Sequence, residues 1–261
     1  MHSSILYQIS PRLIALLLFA GIITFYFIGL GISKYKTKRY PGFEPSGMGP
    51  FEGAMLGLLS LLLAFTFNKS ASYYDSRREL IIHETNSIGT ALLRCDMYPD
   101  SLRQAFRSDF KEYIDERIRY YEAGTNEKRI HASLQKANII SERIWNRAAT
   151  IAQDEGVATK SMQTIPALND MIDVVTTREE ARNILVPSSI LGLLFILCLA
   201  GSFIVGYASK HQKADWIVLI CYSMMTVMTI YIILDLAQPR YGMINNDLTH
   251  DYMYELFNNF Q

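Results

Sequence analysis

The sequence predicts an all-α integral membrane protein in which four transmembrane helices carry a soluble helical bundle inserted between the second and third spans. Three observations carry this. Charge is absent from residues 13–33, 53–68, 183–209 and 216–234, and each run approaches or exceeds the ~20 residues that a helix rising about 1.5 Å per residue needs to cross a hydrocarbon core. The long polar stretch between the second and third runs shows apolar residues at helical spacing and no strand alternation. Half of the 261 residues are hydrophobic while 25 basic and 25 acidic side chains cancel, which leaves no overall attraction to nucleic acid.

The first transmembrane helix is placed at 12–33. Its apolar run is too long for a signal-peptide core and is followed by "KYKTKRY" without a small-residue cleavage pattern, so it is read as a retained span. A connection over 34–50 holds Lys34, Lys36, Lys38 and Arg39 and then the turn-rich "PGFEPSGMGP". The second span, 51–68, has no stop signal at its polar end. Neither proline nor glycine follows until Gly89, so one helix is expected to leave the membrane and continue to about Arg94.

The region 69–184 reads as a soluble bundle continuous with the second and third spans. After Pro99 a helix begins with Asp100 or Ser101 as N-cap and gathers Leu102, Phe106, Phe110, Tyr113, Ile114, Ile118 and Tyr121 on one face, ending at Gly124. The next starts at about Asn126, repeats the spacing through Ile130, Ala137, Ile140 and Ile144, and runs towards Gly156. The last spans 160–183 with Met162, Ile165, Leu168, Ile172 and Val175 as its stripe. Helices with one apolar stripe must bury it, which predicts a bundle. The third span, 185–208, and the fourth, 215–235, are joined by "KHQKAD" and must be antiparallel neighbours. Residues 236–261 form a polar, aromatic tail broken by Pro239 and Gly242.

Within the second span the residues sort by face. Gly53, Gly57, Ser60 and Ala64 make a small-residue packing seam, the kind of surface on which another membrane helix comes close. Leu56, Leu59, Leu63 and Phe67 make a bulky stripe. Beyond them, Arg77, Arg78, Glu79, His83 and Glu84 form either an anion or ligand patch or a set of salt-bridge partners. Glu79 and His83 stand four apart, but no third ligand accompanies them, so no metal site is assigned. Cys95, Cys198 and Cys221 lack the spacing of a zinc site or disulfide framework, and Met224, Met225 and Met228 read as packing. Glu52, Asp215 and Asp235 are placed at the membrane interface. The sequence has no phosphate-cradling glycine loop, nucleophile motif or His-Glu-x-x-His arrangement, so neither an enzyme nor a cofactor is expected.

The stretch "LLAFTFNKSASYYDSRRELIIHETNSIGTALLRCDMYPDSLR" resembles the hallmark segment of the bacterial bestrophin-like domain family, long described as a domain of unknown function. "VGYAS" at 205–209 and "ILDLAQPRYGMI" at 233–244 resemble its later signatures, with a departure at Ala237 and Gln238, where a charged pair is expected. More distantly, "FNKSASYYDSRRE" is similar to the place where the second helix of true bestrophins leaves the pore neck. That resemblance implies a homo-oligomer, a pentamer in bestrophins, conducting chloride or other small anions through a hydrophobic constriction. On this alignment the neck falls on Leu59, Leu63 and Phe67, with Lys69, Arg77 and Arg78 as an anion vestibule. Nothing resembles the acidic calcium clasp of animal bestrophins.

The expected setting is the bilayer of a bacterial inner membrane. Basic residues in the two short loops place the bundle outside the cytoplasm, whereas the bestrophin resemblance places it inside, and the side is left open. Two functional readings follow. One is an oligomeric anion channel with its neck on the second span. The other is a non-conducting sensor or scaffold in which the bundle binds a ligand or partner and the continuous helix relays it.

Overall fold

The structure is a computed structural model that describes residues 7, 9–40, 49–209, 214–238 and 247–258. Among these residues eight α-helices follow in chain order: α1 Pro11–Arg39, α2 Pro50–Cys95, α3 Asp100–Glu122, α4 Glu127–Ile151, α5 Ala158–Asn183, α6 Ser188–Tyr207, α7 Trp216–Ala237 and α8 Asp247–Asn258. No strand occurs among the described residues. Among the described residues four stretches, in α1, α2, α6 and α7, are long and apolar enough to cross a membrane. The chain divides into two compact units, one of residues 1–74 with 185–244 and one of residues 75–184 with 245–261.

In the first unit, Ser10 caps α1 by accepting from the Leu13 amide, and Pro11 opens the helix where its missing N–H costs nothing. α1 packs on α6 at backbone distance. A methyl added at Gly29 would lie 2.1 Å from the Phe203 carbonyl oxygen, and one at Gly206 would lie 2.1 Å from that of Tyr26. Both positions therefore require glycine. The Ser202 hydroxyl donates to the Ile22 carbonyl at 2.5 Å across the same crossing. Asp215 caps α7 by accepting from the Val218 amide, its own amide donates to the Tyr26 hydroxyl at 3.0 Å, and Tyr222 donates to the Cys198 carbonyl at 2.9 Å. Ile22, Tyr26, Leu194, Cys198, Ile230 and Ile233 form the centre of the core.

Two expectations change here. The connection expected from residue 34 begins later, because Lys34 to Arg39 continue α1, where basic side chains in a last turn complement the partial negative charge of the helix end. Asp235 stays in the last turn of α7, at the end of the span, but is buried there, 2 % exposed. Asp215 is placed by its capping role. Lys210, Lys213, Pro239 and Gly242 lie outside the described residues.

The second unit holds the polar part of α2 with α3, α4, α5 and α8. Ile88, Phe106, Phe110, Ile114, Ile144 and Leu168 are fully buried in its core. α3 begins at Asp100 but its N-cap is Pro99, with no side-chain cap bond, rather than Asp100 or Ser101. Gly124, at φ +53°, ends it in the left-handed region that glycine favours. Asn126 caps α4 by accepting from the Arg129 amide at 3.2 Å. α4 stops at Ile151 instead of Gly156, and the Asp154 side chain accepts from the Gly156 amide to start a short 3₁₀ turn, Glu155–Val157. Met162 is 78 % exposed; the inward stripe of α5 is Ser161, Thr164, Leu168 and Met171, rotated one residue from the apolar pattern.

The tail is also corrected. Its distal part is a helix, α8, whose Met253 is fully buried, with Tyr254, Leu256 and Phe257 packed against the same core. The Tyr254 hydroxyl donates to Glu122 at 2.9 Å, and Lys111 lies 5.8 Å from the Phe257 ring centre.

Candidate functional site: the second helix

α2 is 46 residues long, about 69 Å at 1.5 Å per residue. In its apolar part the buried positions are Leu59, Thr66 and Ser70, seven and four apart, which is one face of a 3.6-residue helix. At 100° per residue the opposite face holds Gly57, Leu61, Ala64 and Asn68. All four are exposed on the protomer, Leu61 by 53 %, and Phe65 beside them by 64 %. Of the four apolar spans, that of α2 is the least covered by its own chain: 11 % of its most apolar window is buried, against 39 % in α1 and 33 % in α7.

The expected neck does not share one free face. Leu59 is 3 % exposed and belongs to the core cluster of this unit, Leu63 is half-buried against the same cluster, and only Phe67 is open, at 40 %. On the protomer the trio Leu59, Leu63 and Phe67 therefore runs from the core to the open surface. The packing seam is open: Gly53, Gly57, Ser60 and Ala64 are all exposed, and a methyl built at Gly53 or Gly57 meets no atom within 4 Å.

The expected vestibule also separates. Lys69 is exposed, with its ammonium 4.7 Å from the Tyr73 ring centre, and Arg78 is exposed, but Arg77 is buried and donates to the Ile184 carbonyl at 3.4 Å. Arg77 is drawn in because it occupies the buried face of α2, seven residues after Ser70. Glu79 and His83 are exposed, and the His83 ring pairs with the Ser87 hydroxyl at 3.1 Å. No group of three or more metal-ligating side chains occurs among the described residues.

Sequence reasoning missed the strongest polar cluster. Glu84, on the buried face of α2, faces two guanidinium groups: Arg117 of α3 donates through Nε at 2.5 Å, and Arg178 of α5 pairs with its other oxygen. The Tyr121 hydroxyl donates to Glu84 at 2.9 Å, and the Arg178 guanidinium carbon lies 4.3 Å from the Tyr121 ring centre. Both the Glu84 and Arg117 side chains are fully buried. Burial by itself would raise the Glu84 carboxyl, but Arg117 and Arg178 outweigh it and hold it at about 2. Burial likewise opposes the charge on Arg117, and Glu84 more than offsets it. Burial pushes the Tyr121 hydroxyl up to about 12, so it remains a donor.

No family model matches the sequence, and no curated protein matches it. Solved structures do. A crystal structure of a bacterial bestrophin homolog from Klebsiella pneumoniae, phased by Zn-SAD, superposes with a TM-score of 0.68 at 14% identity, over 93% of this chain and 95% of that one. The chain has a bestrophin fold. A point variant of the Klebsiella homolog gives a TM-score of 0.67 at 13% identity over 100% of this chain and 98% of that one, and another gives 0.66 at 12% over 94% and 96%. The resemblance read from 62–103 and from the ends of the third and fourth spans thus extends, as a fold, over nearly the whole length.

Proposed function

We propose that this protein is an oligomeric, bestrophin-like ion channel of a bacterial inner membrane, selective for small anions such as chloride, with its pore lined by α2. One observation carries the reading: α2 keeps a membrane-length apolar surface almost uncovered by its own chain, and that surface combines an open small-residue seam with exposed bulky side chains. Close helix approach needs the first, and a constriction that gates by dewetting needs the second. The seam takes the neighbouring subunit in a closed ring, five subunits by likeness to bestrophins. The adjacent face, that of Leu61 and Phe65, turns to the axis. The constriction is then formed by Leu61 with Phe65, one turn apart, and Asn68 and Ser72 mark the polar exit where the helix leaves the hydrocarbon. Lys69 and Arg78 remain exposed beyond that exit and raise the local concentration of anions.

Single-channel recording in planar bilayers tests this. Leu61→Ala and Phe65→Ala are expected to raise unitary conductance, and Leu59→Ala, which empties a core position, to lower stability without widening the pore. Bilayers that carry no current with wild type or with either wide-neck variant would remove the channel reading in favour of a non-conducting sensor or scaffold.

A further inference from the structure

The buried cluster around Glu84 leaves two of its own donors unserved. Arg117 is fully enclosed, its Nε is spent on Glu84, and both of its terminal nitrogens, Nη1 and Nη2, are buried without a hydrogen-bond partner among the described residues. Buried donors are almost always satisfied, so an orphaned pair on one guanidinium signals an occupant. The stacking of Arg117 on Tyr120, with its guanidinium carbon 4.7 Å from the ring centre, covers a face of the guanidinium and leaves the in-plane N–H bonds unserved.

The chemistry of the surroundings selects the occupant. Glu84 already accepts from Arg117, Arg178 and Tyr121, which uses three of about four acceptor sites on a carboxylate. Among the described residues it is the single fully buried carboxylate facing the two guanidiniums. Glu179 and Glu127 are partly exposed and already engaged, Glu179 accepting from the Tyr120 hydroxyl and both pairing with Arg182. Tyr113, one turn before Arg117 on α3, is fully buried and within electrostatic reach of it, and burial keeps its hydroxyl protonated. A water accepting from Arg117 would have to pass on two protons where few acceptors remain. An anion needs donors only.

We propose that the Nη1 and Nη2 groups of Arg117 hold a buried, halide-sized monovalent anion as a structural ligand of the helical unit, separate from the permeation pathway. The site is independent of whether the protein conducts, since every residue in it belongs to the second unit. Its role is to complete a cluster that ties α2 to α3 and α5.

Two measurements on the full-length, detergent-purified protein test it. Crystals grown in bromide are expected to show an anomalous peak within hydrogen-bonding distance of the Arg117 terminal nitrogens. Thermal unfolding is expected to shift up by about 3 to 5 °C in chloride over gluconate at equal ionic strength, once chloride is about tenfold above its Kd. Arg117→Lys keeps a cation for Glu84 but loses the two terminal donors, so the chloride dependence should vanish. The proposal is overturned if bromide crystals show no anomalous peak at Arg117, or if the chloride shift persists unchanged in Arg117→Lys. Should that variant fail to fold, the anomalous map of the wild type decides alone.

Discussion

Replacing Glu84 by glutamine should cost this protein a large part of its stability at neutral pH and very little in acid. The Glu84 carboxyl is held at about 2 in the folded protein against an ordinary value of 4.5, a depression of about 2.5 units. At about 1.4 kcal/mol per unit, the ionised group contributes about 3 kcal/mol to folding. A depressed folded value means that the unfolded chain takes up the proton first. The contribution is therefore complete above the unfolded pKa and is lost as pH falls towards the folded one, with more than half gone by about pH 3. The size agrees with the about 3–5 kcal/mol typical of removing one partner from a buried pair, since a neutral amide at this position takes from Arg117 and Arg178 the carboxylate they share. Denaturant unfolding of wild type and Glu84→Gln in the same detergent, at pH 7 and near pH 3, isolates the Glu84 share because every other carboxylate is common to both proteins. A gap below about 1 kcal/mol at pH 7, or one that stays constant into acid, would refute the reasoning.

Other consequences follow from the same contacts. Gly206→Ala sets a methyl 2.1 Å from the Tyr26 carbonyl oxygen and should destabilise the protein by about 3 kcal/mol or more in thermal unfolding, because two backbones must part. Gly57→Ala meets nothing within 4 Å, so protomer unfolding should change by less than about 1 kcal/mol while native mass measurement shows weakened assembly. Met253→Ala empties a fully buried site of α8 and should cost about 2–5 kcal/mol, visible as earlier proteolytic release of the C-terminal segment. Cys95 is buried with its thiol pushed up to about 12, so a maleimide should label it only after denaturation.

The helices were legible in the sequence because their signals are local. Charge-free runs mark the spans, Asn126 marks the start of α4, and the stripe from Phe106 to Ile118 marks the inner face of α3. The orientation of α2 was not legible. In a membrane span apolar residues surround the helix, so periodicity admits several bulky stripes and cannot say which faces the protomer's core; Leu59 turned inward and Leu61 outward. The buried cluster was out of reach for another reason, since Glu84 lies 33 residues from Arg117 and 94 from Arg178, and only the fold brings them together. The spacing of Met253, Leu256 and Phe257, three and four apart, did signal α8. Asp251 and Glu255 among them, with Pro239 and Gly242 upstream, gave the segment the look of a polar tail.

Imaging of single particles of the detergent-purified protein at side-chain resolution tests the pore most directly. The account predicts a closed ring with α2 of every subunit around the axis, Leu61 and Phe65 directed into the passage, and Gly53, Gly57, Ser60 and Ala64 against the neighbouring subunit. A monomer, a dimer without an axial passage, or a ring whose α2 faces lipid would contradict it.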